Sequence, residues 1–187
     1  MRINLLGGPG SGKSTTAAWL FSVMKERHIS VELVTEYVKS WACQKRQVTS
    51  FDQVYLLGKQ MQYEYRFLNS GIKNIITDSP VFLSAVYAEV YYSELKISKP
   101  ILELVDAYEK QFPSVNIFLN RKNKPYIQEG RYQNYEQAKE VDNLIRHNLL
   151  ARPEWKTHFI DYDNRRELLM ILSDYIPELA DPLDNQL

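Results

Sequence analysis

Residues 7–14 read Gly7-Gly8-Pro9-Gly10-Ser11-Gly12-Lys13-Ser14, with Thr15 next. A glycine, four residues and then Gly-Lys-Ser is the spacing of a loop that cradles phosphate. Glycines let backbone N–H groups curl around phosphate oxygens where a side chain would block approach. A helix opening at the lysine adds partial positive charge. Lys13, its ammonium facing solvent, would reach the outer phosphates of ATP, and the Ser14 hydroxyl would ligate Mg2+. Gly8, Pro9, Gly10, Ser11, Gly12, Lys13, Ser14 and Thr15 are therefore candidate nucleotide contacts. The plainer alternative is a glycine turn that only caps a helix. An apolar strand before the loop and a helix after it separate the two.

Three more residues suit phosphoryl chemistry. Asp78 follows the run Asn74-Ile75-Ile76-Thr77. A carboxylate ending such a strand binds magnesium or orients a water on it; its other reading is a helix cap shared with Ser79. Glu36 ends a second apolar run. At the carboxyl edge of a parallel sheet it would face the phosphate loop and take the proton of an attacking hydroxyl. Otherwise it is a surface acid in a first helical turn, favoured by the helix dipole. Arg131 lies in a basic segment with Arg121, Lys122 and Lys124. An arginine closing over a transferring phosphoryl group neutralises the charge that develops there. A solvated basic loop is the alternative. Arg121 is a candidate on the nucleotide side.

The remaining reactive types are less pointed. Of 13 tyrosines, Tyr37 follows Glu36 closely enough to line an acceptor pocket, as does Trp41; most of the others read as packing. His28, His147 and His158 lack metal-ligand spacing and read as structural. Cys43 reads as a small buried hydrophobe.

Positioning these groups requires strands and helices in alternation. Short apolar runs at 3–6, 31–35, 74–77, 115–119 and 157–160 read as strands buried on both faces. Between them lie amphipathic stretches, the pattern of a parallel sheet covered by helices. Helices are predicted at 13–27, briefly from 36 through 43, and from Ser50 to about 69, where Gly71 ends the third. Two more, at 80–91 and 100–112, carry proline in the first turn. Others follow at 134–149 and 164–176, the last with Asn164 as N-cap and Pro177 as its stop. Residues 96–99 are a polar connector. Residues 120–133 form a strand-to-helix loop of unusual length, and such loops are commonly functional. The acidic residues 178–187 read as a solvated tail.

Composition limits the alternatives. The chain has 187 residues, 44% apolar and 25% charged, which suits one folded domain and excludes disorder. No apolar run approaches the roughly 20 residues of a membrane span. Lysine plus arginine and aspartate plus glutamate each number 23, so no global charge draws the chain to nucleic acid. A basic stripe of Lys39, Lys45, Arg46 and Lys59 keeps that partner open but not favoured. One cysteine and no signal-peptide pattern imply a cytoplasmic protein. The abundance of tyrosine hints at a homodimer.

Four segments carry a resemblance to a known group. They are residues 7–15; Thr35-Glu36-Tyr37-Val38-Lys39; Pro125-Tyr126-Ile127-Gln128-Glu129-Gly130-Arg131; and Asp161-Tyr162-Asp163-Asn164-Arg165. Spread in order over nearly the whole chain, they resemble the nicotinamide-riboside-kinase-like P-loop ATPases, which include the kinase domain of bacterial NadR proteins and small phage and animal relatives. The third segment is the most specific. The resemblance implies a three-layer α/β/α P-loop NTPase fold, with a five-stranded parallel sheet in the order 2-3-1-4-5 as in nucleotide kinases. It implies a kinase domain at 1–177 with a lid at about 120–133. Arg131 would belong to that lid, Glu36 to the acceptor side, and residues 161–164 to the adenine end. Glu129 stands where many members have Asp, and Asp78-Ser79-Pro80 replaces the Asp-x-Asp of the riboside kinases. These departures bear on the acceptor rather than the reaction.

The expected activity is ATP-dependent transfer of the γ-phosphate to a hydroxyl of a nucleoside- or nucleotide-like acceptor, with Lys13, Glu36, Asp78 and Arg131 as catalytic candidates, and Ser14 and Asp78 on the metal. One alternative is a kinase of hydroxymethylated pyrimidines in phage DNA. Another is a nucleotide-dependent switch without acceptor chemistry.

Overall fold

The computed structural model describes residues 1–49, 51–122 and 126–180. Five strands form one parallel sheet: β1 (Arg2–Leu6), β2 (Val31–Val34), β3 (Asn74–Thr77), β4 (Ser114–Asn120) and β5 (Lys156–Asp161). Their order is β2-β3-β1-β4-β5, the order that the resemblance implies. Among the described residues, seven α-helices accompany the sheet: α1 (Lys13–Glu26), α2 (Lys39–Cys43), α3 (Asp52–Leu68), α4 (Phe82–Tyr92), α5 (Ser98–Gln111), α6 (Tyr135–Leu150) and α7 (Arg165–Ser173).

Alternation along β1 and β4 separates two cores. Ile3, Leu5, Val115, Ile117 and Leu119 face α1 and α7, where Leu20, Met24 and Leu172 are fully buried. Leu6 and Phe118 face the other layer, against Val86, Val105 and Ile145. Each such aliphatic side chain contributes about 1.5–3 kcal/mol by leaving water.

The second face is not apolar throughout. Arg2, placed outside the first strand by hydrophobic pattern, belongs to it and is 0% exposed. Its Nε donates to Glu64 Oε2 at 2.9 Å, and its Nη1 to Glu109 Oε1 at 2.9 Å and to the Phe112 carbonyl at 2.7 Å. Asn4 donates to Ser114 Oγ and Asn116 Oδ1, both at 2.9 Å. Gln60 links this network to Thr77, whose Oγ1 accepts from it at 3.1 Å. Strand register explains the arrangement, since Asn4 stands opposite both Thr77 and Asn116.

Local signals fixed the helix ends. Asn134 and Gln137 form a reciprocal capping box at α6. Asn164 caps α7 by accepting from the Glu167 N–H at 3.2 Å. Gly71 lies just beyond α3 at φ +85°. Ser50, the expected start of that helix, lies outside the described residues; the helix begins at Asp52. Two expectations need correction. Pro177 opens a 3-10 turn, Pro177–Leu179, rather than only stopping a helix. Leu179 packs into the core at 2% exposure, so it is not part of a solvated tail, while Glu178 beside it is exposed. Asp181 and Asp184 lie outside the described residues. No helix among the described residues is long and apolar enough to cross a membrane.

Candidate active site

The loop after β1 turns through backbone geometry that side chains resist. Gly7 has φ +143°, and a Cβ there would lie 2.6 Å from Ser11 Oγ. Gly12, at φ +105°, is the N-cap of α1, and its missing Cβ leaves room for the Tyr162 ring. Ser11 is thereby folded inside, while Ser14 and Thr15 remain exposed at the helix N-terminus. Lys13 is half-buried rather than solvent-facing. Its Nζ donates to the carbonyls of Gly7 at 2.7 Å and Gly8 at 3.0 Å. Burial lowers its pKa, and the charges of Glu36, Asp78 and Asp142 oppose that shift.

A brace holds the loop from behind. Asp142, on α6, accepts from the Gly8 N–H through Oδ1 and from Arg121 Nε through Oδ2 at 2.8 Å. Arg121 Nη2 donates to the Pro9 carbonyl at 2.7 Å. Arg121 thus stands beside the phosphate loop, with its Nε and one Nη2 hydrogen engaged by protein. Asp142 gave no motif signal, because nothing in its helical surroundings marks it.

Glu36 and Asp78 follow β2 and β3 at the carboxyl edge of the sheet. Asp78 is 5% exposed, and its Oδ1 has no hydrogen-bond partner among the described residues. It does not cap α4, whose N-cap is Val81 with no side-chain hydrogen bond. An orphaned buried carboxylate oxygen, together with the exposed Ser14 hydroxyl at a helix N-terminus, fits a magnesium ion's preference for oxygen ligands. Glu36 is drawn upward in pKa by burial, with the Lys13 charge opposing. Asp78 raises it further, and Lys39 and Arg131 lower it. The carboxylate therefore shares one electrostatic site with Lys13, Asp78 and Arg131.

A cleft of about 610 Å3 opens between the phosphate loop, α2, α4 and residues 126–133. That volume suits a small-molecule site. Lys13, Ser14, Glu36, Lys39 and Arg131 line it. Arg131 lies 5.3 Å from the Tyr126 ring centre, and its Nη1 is buried with no partner among the described residues. The described part of the long loop has more anchors than Tyr126 and Ile127. Tyr126 Oη donates to the Gln133 carbonyl at 2.8 Å, Tyr132 Oη to the Arg46 carbonyl, and Gln133 to Tyr91 Oη. Lys124 and Pro125 lie outside the described residues. Lys122 points elsewhere, to Asp163 at 2.7 Å and Asp161 at 3.3 Å. Asn164 at the expected adenine end spends its amide on the α7 cap.

An inner pocket continues the cleft, lined by Glu36, Tyr37, Gln53, Gln60, Ser79 and Tyr87 among others, with no lysine, arginine or histidine among the described residues. Gln53, Gln60 and Tyr87 were missed, because an amide or phenol on a helix carries no motif. Their spacing on α3, seven residues from Gln53 to Gln60, places both amides on one face. Burial raises the Tyr87 pKa well above its usual value. Tyr37 also lines this pocket. Trp41 is instead buried at 5% exposure, stacked 5.9 Å from Tyr55 and covered by Arg46 at 3.4 Å. Cys43 corrects another expectation: it is exposed and lines the cleft, because α2 is a five-residue helix at the rim with one buried residue, Trp41.

Residues 2–163 match the family model described as AAA domain, AAA_28, so the chain belongs to that family of P-loop domains. No curated protein matches it. Among solved structures it is similar to a deoxyadenosine kinase from M. mycoides with products dCMP and a flexible dCDP bound. The two are 16% identical, with a TM-score of 0.63, covering 95% of this chain and 100% of that one. The same kinase with dATP bound gives 17% identity and a TM-score of 0.60, covering 94% and 100%. These likenesses establish the three-layer α/β fold of a P-loop nucleoside kinase.

Proposed function

We propose that the chain is an ATP-dependent kinase that transfers the γ-phosphate to a hydroxyl of a nucleoside-like acceptor. One observation carries the proposal: Lys13, Glu36 and Arg131 line the same cleft, although they lie far apart in sequence. Lys13 and the phosphate loop would hold the triphosphate, and Ser14 and Asp78 would hold magnesium, which when bound offsets phosphate charge. Arg131, with a buried unpaired nitrogen, is a ready donor for charge that develops during transfer. Glu36, raised in pKa by burial, is a stronger base than an ordinary carboxylate and would accept the acceptor's hydroxyl proton. The similarity to a deoxyadenosine kinase supports the class of acceptor.

The inner pocket refines the choice. With no lysine, arginine or histidine in its lining among the described residues, it suits an uncharged polar group better than a phosphomonoester. This favours a nucleoside over a nucleotide, and agrees with the riboside-kinase-like grouping read from the four segments. A DNA-bound acceptor is less well supported. Arg46 is taken up by Trp41 and Asp52, and Lys59 lies 5.7 Å from the Tyr55 ring centre, so two of the four residues of the basic stripe are already engaged. A switch has no use for Glu36 as a base on the acceptor side of the phosphate loop. Cytoplasmic placement goes with the kinase reading.

The test is ATP turnover against nucleosides, nucleoside monophosphates, nicotinamide riboside and hydroxymethylated DNA. ADP formation should rise only with a nucleoside. ADP formation indifferent to every acceptor would overturn the assignment.

A further inference from the structure

Arg131 is held differently from Arg2 and Arg121. Those two are fixed by carboxylates, at 2.9 Å from Glu64 and 2.8 Å from Asp142. Arg131 has no carboxylate partner among the described residues. Its guanidinium lies over the Tyr126 ring, 5.3 Å from the centre, with Nη1 unpaired. A carboxylate would hold the cation but consume its N–H donors and offset its charge. An aromatic face holds the cation and leaves the donors free. A turn brings the two residues together. The Arg131 N–H donates to the Gln128 carbonyl at 3.1 Å, and Gln128 Nε2 donates to the carbonyls of Arg131 at 3.3 Å and Gln133 at 2.9 Å. The ring is itself pinned to the phosphate loop. A Cβ on Gly10, whose φ is +74°, would lie 2.8 Å from Tyr126 Cε2 and 3.1 Å from Cδ2, so the ring edge rests where only a glycine leaves room. Tyr135, the first residue of α6, backs the ring at 5.8 Å between centres, and the Tyr126 hydroxyl donates to the Gln133 carbonyl at 2.8 Å.

We propose that Tyr126 is a positioning residue for phosphoryl transfer: its ring sets the Arg131 guanidinium at a fixed offset from the phosphate loop while leaving the arginine's N–H groups free for the transferring group. The inference rests on the kinase reading above, in which Arg131 is the donor. An arginine side chain carried on a turn has many rotamers, and most of them miss the phosphate. A ring that favours one of them removes that search. Because the ring edge lies on Gly10, the guanidinium keeps its place relative to the loop that holds the phosphates. Tyr126 lines the cleft with Lys13 and Arg131 rather than filling either core. Its action therefore passes through the arginine: with Arg131 gone, the ring has nothing left to place.

The test measures kcat with ATP and whichever of deoxyadenosine, deoxycytidine and thymidine turns over fastest, and ATP affinity by titration calorimetry. The proteins are the wild type, Tyr126→Phe, Tyr126→Leu, Tyr126→Ala, Arg131→Ala and the double variant of Tyr126→Leu with Arg131→Ala, each checked for folding by thermal unfolding. Tyr126→Leu and Tyr126→Ala should lose roughly 10- to 100-fold in kcat, as for a misplaced reacting group, with ATP affinity changed by less than about threefold. Tyr126→Phe keeps the ring and should stay within about threefold of the wild type. In the Arg131→Ala background, Tyr126→Leu should cost less than about threefold more, because the two residues act as a unit. Losses that multiply in the double variant would mean that Tyr126 acts apart from Arg131, and the proposal would fail. It would fail as well if Tyr126→Phe were as damaging as Tyr126→Leu, which assigns the effect to the hydroxyl bond with Gln133. An unchanged kcat in the Leu and Ala variants, or an ATP affinity lost in step with kcat, would also overturn it. If the wild type phosphorylates no nucleoside, or Arg131→Ala keeps full turnover, the underlying kinase reading falls and the proposal with it; in every other outcome that reading stands.

Discussion

Asp142 reaches the phosphate loop twice: directly through the Gly8 N–H, and through Arg121, whose Nε lies 2.8 Å from its Oδ2 and whose Nη2 holds the Pro9 carbonyl. The two side chains sit at 14% and 7% exposure, so solvent screens the pair little. Their task is to fix a loop whose amides must point inward before phosphate arrives. Asp142→Ala should therefore weaken ATP binding while leaving Glu36 and Arg131 in place. The expected loss is about 1–3 kcal/mol, the cost of an unmade buried hydrogen bond. Titration calorimetry with ATP would check it; unchanged affinity would remove the brace.

Arg131 and Lys122 are nine residues apart and should behave differently. Lys122 makes exposed ion pairs with Asp161 and Asp163, and such pairs contribute little. Arg131 has a buried, unpartnered nitrogen in the cleft. Arg131→Ala should cost roughly 100- to 1,000-fold in turnover with near-normal ATP affinity, as for the loss of one transition-state donor. Lys122→Ala should change turnover by less than about threefold. Steady-state kinetics on both variants, with ATP affinity measured separately, distinguishes a catalytic arginine from a basic surface.

Arg2 faces two buried carboxylates, Glu64 and Glu109, across 2.9 Å each. Removing the guanidinium in Arg2→Met leaves them without their cation and should destabilise the fold by about 3–5 kcal/mol at neutral pH. Burial already raises the Glu64 pKa in the folded protein. A carboxyl whose folded pKa exceeds its unfolded value favours folding below the unfolded pKa and loses that contribution as pH rises through the folded one. Without Arg2 the elevation grows, so the variant's deficit should shrink as pH falls from 7 toward 5. Urea unfolding at the two pH values measures this; a deficit that grows on acidification contradicts the buried network.

That network also marks where sequence reading stops. The phosphate loop, the five strands and the caps at Asn134 and Asn164 are local patterns, each written within a few residues. Glu36 and Asp78 follow from strand ends in a parallel sheet. Arg2 finds partners 62 and 107 residues away, which hydrophobic periodicity cannot see. Tyr132 reaches the Arg46 carbonyl across 86 residues, so the loop carrying Arg131 looked less anchored than it is. Cys43 was misplaced because a five-residue helix at a cleft rim has little inner face. The inner pocket escaped notice for a related reason: its amides are ordinary residues until the sheet brings α3 over Glu36.

Glu36 should act on the acceptor, not the nucleotide. Its raised pKa sets a sign for pH dependence: only the ionised form accepts a proton, so turnover should fall on the acid side at a pH above the ordinary carboxylate range. Glu36→Gln should lose that limb and about 100- to 10,000-fold in turnover, with ATP affinity changed by less than about threefold. A pH profile of kcat in the two proteins checks the assignment.

The most direct measurement follows the label of γ-32P-ATP with a nucleoside present. The wild type should place it on the nucleoside, and Lys13→Ala, folded by its unfolding midpoint, should place none there. Label released only as inorganic phosphate, at a rate the nucleoside does not change, would contradict the account.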